Sequence, residues 1–451
     1  MKKTLQTTIA VLTSATLLAG CSSTDGNNEP APHESLGKAD SQTTHDSEPT
    51  FDTGPYATEP HSDWTTLPDD VGPFSEIARI TDATVLPYEV DKEFSKGMGA
   101  ERQYNMDGLA LFLPDAVSTK LNPFAANYLH GFMRLAGTDN GSKETGHFVL
   151  RFTDPDSAQQ AADAAMAGFL ESGDNILAAD TEGAGGSKEE IASQPQATAV
   201  RSADGNVLNA ALTHNEYMIL AYAGNAADTG SPSSPQDSDW QSRYLTQLFN
   251  KQIPLLDTIP AKKTDAGYGM SDEWPAIDPD GILKYSLFAP EDQSLPSLGQ
   301  LPASMTPRAM AGQFEGVGPM LTAIDQAGVD AMADNEFKVF RAKNPESAQL
   351  LLATMRAFDA DGETKAWDEP QGVPGTECGT KIEGAVGKKH FCYLTYENYF
   401  AAAEIFEGDN HEPEAGGKIA EASAVDPKKQ LSQAVAAQYL ILKQAPTSGS
   451  K

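Results

Sequence analysis

The sequence predicts an α+β fold of two related units, each an antiparallel sheet with helices on one face, ferredoxin-like or a near variant. Three observations carry this. First, a motif recurs: Asp154-Pro155-Asp156-Ser157-Ala158-Gln159 is echoed by Asn344-Pro345-Glu346-Ser347-Ala348-Gln349. Second, each copy is followed by a polar tip between apolar runs, Thr213-His214-Asn215-Glu216-Tyr217 and then Thr395-Tyr396-Glu397-Asn398-Tyr399. Third, a helical segment closes each copy, at residues 239–253 and 426–443. Strands with segregated helices, without strict alternation, point to antiparallel pairing.

Each copy starts with an alternating strand, residues 147–152 and 336–340. The repeated motif then reads as a helix start. Asp or Asn at the N-cap accepts a backbone N–H that has no partner within the helix. Pro at the first helical position lacks an N–H that would be orphaned anyway, and an acid in the first turn complements the dipole. Both helices run on through a Met and a Phe, Met166/Phe169 and Met355/Phe358. The polar tips join runs 207–212 with 218–223, and 391–394 with 400–405, a hairpin pattern. Polar inserts at 224–238 and 407–423 precede the closing helices, the second of which starts at Asp426-Pro427. Ahead of the first copy, residues 122–135 carry Phe124, Tyr128, Phe132 and Leu135 at a helical spacing, leaving His130 off the stripe and solvated.

The N-terminus reads differently. Lys2, Lys3 and a short apolar core form an export signal, too short for the roughly 20 apolar residues that span a bilayer. Removing those two lysines takes the net charge from −32 to −34. Residues 21–70 hold eleven acids against Lys38 alone, together with prolines at 30, 32, 49, 55, 60 and 68. Low hydrophobicity with high net charge predicts a disordered tether. The divisions expected are a signal peptide at 1–20, an acidic tether at 21–70, an N-terminal α+β domain at 71–260, a linker at 261–281 and a C-terminal α+β domain at 282–445. So acidic a chain argues against nucleic-acid binding, whose affinity comes from Lys and Arg on phosphates.

Cys378 and Cys392 flank Gly384-Ala385-Val386-Gly387. If that segment turns, positions summing to 770 face each other, and these two cysteines do. An exported chain favours a disulfide there, worth roughly 3 kcal/mol for a loop of about fifteen residues. Free buried thiols are the alternative. No C-x-x-C spacing suggests redox chemistry, and Ala210 stands where the first copy would need Cys392.

Motifs for chemistry are sparse. There is no G-x-S-x-G elbow, no P-loop and no H-x-x-x-H pair. Asp278-x-Asp280-Gly281 and Asp359-x-Asp361-Gly362 lack the Gly and Glu of a calcium loop. Gly183–Ser187 is a weak phosphate loop with acids around it. No cofactor and no metal site are expected. The candidate binding patch is His214 and Tyr217 with Tyr396 and Tyr399, near Tyr393, at the hairpin tips; the competing reading is cross-strand packing.

Leu18-Ala19-Gly20-Cys21 resembles the lipobox of bacterial lipoproteins. That resemblance implies cleavage before Cys21, a thioether to diacylglycerol on its sulfur and acylation of its amine. Two or three acyl chains anchor a protein without a basic patch, at about 0.8 kcal/mol per buried methylene. The lipobox, the acidic tether, the two-unit layout and the segment DATVLPYEVD at 82–91 together resemble an uncharacterised two-domain lipoprotein family of mycolic-acid-bearing actinobacteria. The resemblance implies a strand at Pro-x-Glu-Val-Asp, a C-terminal domain with two cysteines and an envelope location; it supplies no catalytic residues. The expectation is a lipid-anchored protein on the extracytoplasmic face of the cell membrane. It would be non-enzymatic, binding or scaffolding a lipid, glycolipid or protein partner. The alternative is an envelope hydrolase whose site is assembled from distant residues.

Overall fold

The computed structural model describes residues 51–62, 72–174, 176, 185–225, 239–288, 302–360, 363–368, 370–383, 387–407 and 426–448. Cys21, the signal segment, residues 21–50 and 63–70 of the tether, Gly183 and Ala184, nearly all of both polar inserts and the turn at 384–386 lie outside the described residues. Among the described residues, no helix is long and apolar enough to cross a membrane.

Two seven-stranded sheets carry the fold. The first contains β1 (Lys96–Gln103), β2 (Tyr128–Gly137), β3 (Lys143–Phe152), β4 (Ser187–Glu189), β5 (Thr198–Arg201), β6 (Val207–His214) and β7 (Tyr217–Asn225), in the order β1-β2-β3-β7-β6-β5-β4. The second contains β8 (Ala303–Met305), β9 (Ala331–Asp334), β10 (Lys338–Arg341), β11 (Thr364–Ala366), β12 (Thr376–Glu383), β13 (Gly387–Tyr396) and β14 (Tyr399–Glu407). Its order, β11-β12-β13-β14-β10-β9-β8, read from the opposite edge, is that of the first sheet with each label advanced by seven. Pairing is antiparallel throughout. The units are therefore duplicates in topology.

The helices correspond too. After α1 (Gly72–Ala83) and α2 (Pro87–Val90), the first unit has α3 (Met106–Ala110), α4 (Asp115–Leu121), α5 (Pro155–Ser172) and α6 (Asp239–Leu256). The second has α7 (Pro307–Ala311), α8 (Val317–Ala327), α9 (Pro345–Asp359) and α10 (Pro427–Leu442). The repeated motif starts α5 and α9, where Asp154 and Asn344 accept hydrogen bonds from the Ser157 and Ser347 amides. The hairpins turn through two residues, the first of which takes a positive φ: Asn215 at 51° and Glu397 at 48°. Thr213 donates to Gln159 at 2.7 Å, and Gln349 donates to Thr395 at 2.9 Å, so both units tie helix to hairpin at the same place with donor and acceptor exchanged.

Helices cover both faces of each sheet, where the sequence suggested one. Along β7, Tyr217, Ile219 and Ala221 face α6, while Met218, Leu220 and Tyr222 face α5. In the second unit α10 packs on one face and α7, α8 and α9 on the other. Burial on both faces erases the period-two alternation that would have revealed it. The four apolar clusters fill the space between sheets and helices.

Three local readings change. Residues 122–135 are a short 3₁₀ turn at Asn122–Phe124 followed by β2. A bulge between Tyr128 and His130 shifts the register and brings the aromatic spacing close to that of a helix. His130 is buried there, not solvated. The Pro87–Val90 segment is one helical turn, with Pro at its start and the Glu89 carboxylate accepting from the Leu86 amide at 3.0 Å. Residues 51–62, expected in the disordered tether, form a strap on the C-terminal unit. Tyr56 is inserted in its core, Phe51 packs on Tyr439 with ring centroids 5.6 Å apart, and Gln433 donates to Asp52.

The units meet along a seam that holds three arginines, of which Arg134 is buried. Arg308 pairs with Glu89 and reaches the Asp82 carbonyl at 3.0 Å. Arg102 of β1 pairs with Asp334 of β9 at 3.2 Å, and Arg134 of β2 donates to the Ala309 carbonyl at 3.1 Å. Burial first, and Arg308 second, lower the Arg134 pKa to about 9. Beside it His147 is wholly buried, and burial followed by the two arginines brings its pKa down to about 3.

Candidate functional site

The hairpin-tip residues do not form one patch. Tyr217 and Tyr399 are buried core residues, the latter donating to the Pro446 carbonyl at 2.8 Å. Tyr396 packs edge-on to Tyr439 with centroids 5.5 Å apart. His214 Nε2 meets Asp257 at 2.7 Å in the first unit's hairpin, apart from either tyrosine of the second sheet. A β-strand alternates its faces, so residues three apart across a two-residue turn pair directly, and such pairs are taken up by packing. A depression of about 290 Å³ does lie at the second tip, lined by Pro345, Glu346, Gln349, Thr395 and Glu397. A Gln–Thr hydrogen bond at the same place, with donor and acceptor exchanged, recurs in the first unit, which marks the contact as shared scaffold.

Cys378 and Cys392 are disulfide-bonded and directly opposite in the β12–β13 register, as their positions about the turn imply. The bridge lies on the α10 face, within the core. Asp278 accepts from the Ile282 and Leu283 amides at 2.9 and 3.0 Å, so its carboxylate serves the turn that precedes Leu283.

One buried ionic cluster was not foreseen. Glu76 of α1 bonds His130 at 2.6 Å and Arg151 at 2.5 Å, and accepts from the Lys262 amide at 2.8 Å. Arg151 also donates to the carbonyls of Lys262 and Tyr268, at 2.8 and 3.1 Å. Burial alone would raise the Glu76 pKa, but His130, Arg151 and the Lys262 amide outweigh it and hold the carboxyl below its usual range. With each charge sealed by protein partners, the cluster clamps the 262–268 loop. It offers no access to a ligand.

The site with access lies in the second unit, on the α9 face. Aligning the N-caps sets Phe169 against Asp359, and aligning the hairpin turns sets Ala211 against Tyr393 and, across the strand pair, Val200 against Gly379. The first unit fills this region with Phe169, Val200 and Ala211, all buried in one apolar cluster. The second has a groove of about 400 Å³ there, lined by Arg356, Asp359, Thr364, Ala366, Glu377 and Phe391 among others. Asp359 accepts from the Tyr393 hydroxyl and from Lys389 Nζ, the latter at 3.1 Å. Arg356 forms a two-pronged pair with Glu377, one arm at 2.5 Å. Gly379 lies on the floor, where an added Cβ would stand 2.6 Å from the Phe391 ring. Sequence comparison of the copies held the clue, but the Met/Phe echo is out of step by one residue: counted from the N-cap, Met355 matches Ala165 and Asp359 matches Phe169.

Residues 64–270 match the family described as "Domain of unknown function (DUF7373) N-terminal", and residues 290–405 match "Domain of unknown function (DUF7373) C-terminal". No curated protein matches the chain. Among solved structures, the chain is similar to the extracellular domain of PknH from Mycobacterium tuberculosis. Identity is 12%, with 45% of this chain and 98% of that one covered, at a TM-score of 0.25.

Proposed function

The chain belongs to the two-part DUF7373 family, and from that premise we propose that it is a lipid-anchored, non-enzymatic protein of the cell envelope. Its working surface is the groove of the C-terminal unit, where it binds a ligand or partner. The observation that carries the binding site is the divergence of the two copies: Phe169 and Val200 fill in the first what Asp359 and Gly379 leave open in the second, while Tyr393 replaces Ala211 and holds the Asp359 carboxylate. Preformed concave sites of about 300–1,000 Å³ with a few fixed polar groups are where small ligands bind. The filled cores favour a surface site over a deep acyl-chain pocket. Anchoring rests on Leu18-Ala19-Gly20-Cys21 and on the thiol chemistry that the motif implies. The His214–Asp257 pair gives the hydrolase alternative little support, since Asp257 is 57% exposed and the pair borders neither depression.

Two experiments test this. Membrane fractionation should find the wild type in the pellet and Cys21→Ala in the soluble fraction; tight association of the variant would contradict the anchor. Amide exchange of the soluble variant, with and without a cell-envelope extract, should slow at residues 356–360 and 376–381. Unchanged exchange there would contradict the site.

A further inference from the structure

We propose that the groove recognises a neutral, polyhydroxylated ligand, a glycan, and this deepens the reading of the groove as the binding site. Its charged groups come in opposite-sign pairs, Arg356 with Glu377 and Lys389 with Asp359. Lys381 faces Lys389 directly across the strand pair and donates to the Phe358 carbonyl at 3.3 Å. Arg356 in the lining and the two lysines beside it are thus committed to acceptors of the protein itself. A phosphate or carboxylate would have to displace those acceptors, and would meet Asp359 and Glu377 as like charges.

A hydroxyl group has no such difficulty, because it both donates and accepts. Adjacent hydroxyls can take a hydrogen bond from Arg356 and give one to Glu377 without separating the pair. At the rim these two side chains are 54% and 36% exposed, so they reach solvent while holding each other in place. Such mutual fixing reduces the ordering cost of binding. Most of the remaining wall is apolar: Ala360, Ala366, Trp367 and the Phe391 ring lying over Gly379, with Thr364 beside them. That surface suits the C–H face of a sugar ring, and the volume is on the order of a disaccharide.

Other ligands fit less well. The floor is closed by buried Phe391 and Tyr393, which leaves no depth for an acyl chain. Polyanions are disfavoured by a chain of net charge −32. Addition of a peptide strand at β11 would have to use a three-residue edge bearing Lys365, a length and residue type that discourage edge pairing.

The test uses the full chain bearing Cys21→Ala on an array of neutral, uronate-containing and phosphorylated glycans, with soluble competitors. Ala366→Phe fills the groove from an exposed strand position, and Glu377→Gln removes one acceptor charge while keeping its shape. Retention on neutral glycans is expected. It should fall at least about tenfold in Ala366→Phe, the equivalent of roughly 1.4 kcal/mol, with the unfolding midpoint unchanged, and less in Glu377→Gln. Competition by vesicles carrying a neutral glycolipid would identify a lipid headgroup as the source; competition by soluble oligosaccharide alone would identify a free polysaccharide. Binding confined to charged glycans, binding indifferent to Ala366→Phe, or no glycan binding overturns the proposal. If no glycan binds but a peptide fraction of the envelope extract slows groove exchange, the site stands and its ligand is a protein. If nothing slows it, both readings fall.

Discussion

The two units share one topology and use their polar residues in opposite ways. In the first, Arg151 of β3 is 1% exposed and clamps a loop through Glu76 and two backbone carbonyls. Its counterpart in β10, Arg341, sits opposite Tyr399 as Arg151 sits opposite Tyr217, but is 28% exposed and pairs with Asp330 at the surface. The first unit closes the space under its central helix with Phe169; the second leaves a groove bordered by Asp359. A duplicated scaffold can thus place its polar residues inside one copy as structural clamps and around an opening in the other.

The largest effect should come from breaking the buried clamp. Removing one partner of a buried charge cluster leaves the others unpaired and costs about 3–5 kcal/mol. Arg151→Met should therefore lower stability by that amount in chemical denaturation, whereas Arg341→Met should cost under about 1 kcal/mol. Equal losses would contradict the contrast between the units.

Next comes the disulfide. Reducing it, or replacing both Cys378 and Cys392 by alanine, should cost about 3 kcal/mol. The matching positions in the first unit are Ala199 and Ala210, which are also directly paired. Cysteines at both should form a bridge under oxidation and raise the unfolding midpoint. Failure to cross-link would show that the two hairpins are not equivalent there.

A third contrast is visible in pH. His147 of the first unit occupies the place of Phe337 in the second. Its folded pKa is about 3, below an unfolded value near 6.5, so the unfolded chain binds the proton first. Stability is unaffected above that unfolded value and falls as pH drops towards the folded one, by at most about 1.4 kcal/mol per pH unit. Below the ordinary carboxylate range, protonation of Glu76 adds a further loss in the same direction. His147→Phe should flatten the pH dependence between about pH 6 and 4, measured by thermal unfolding in a buffer series; an unaltered slope would contradict the burial argument.

The smallest effect concerns the turns. Asn215 suits a positive φ, and Glu397 at the same point of the second hairpin does not. Glu397→Asn should stabilise by up to about 1 kcal/mol. No gain would mean that Glu397 makes a compensating contact.

Local chemistry was legible in the sequence. The caps at Asp154 and Asn344, the hairpin tips, the pairing of the two C-terminal cysteines and the duplication itself all follow from short motifs. Longer-range features were not. β2 is largely buried on both faces and carries a bulge, so its aromatics imitated a helical stripe and His130 was misplaced. The strap lies in acidic, Pro-rich sequence, and only Phe51 and Tyr56 mark it as core material. The Glu76–His130–Arg151 cluster draws on residues far apart in the chain, and no spacing rule joins them. The groove required an alignment of the copies residue by residue, because its signal is a loss of bulk at two positions, Phe169 to Asp359 and Val200 to Gly379, beside a gain at a third, Ala211 to Tyr393.

The exchange of side chains between the copies gives the most direct test. Asp359→Phe with Tyr393→Ala rewrites the second unit in the image of the first. Binding to immobilised envelope glycans should disappear, while the unfolding midpoint stays within about 5 °C of the wild type. A folded double variant that binds as well as the wild type would contradict the assignment of the groove as the working surface.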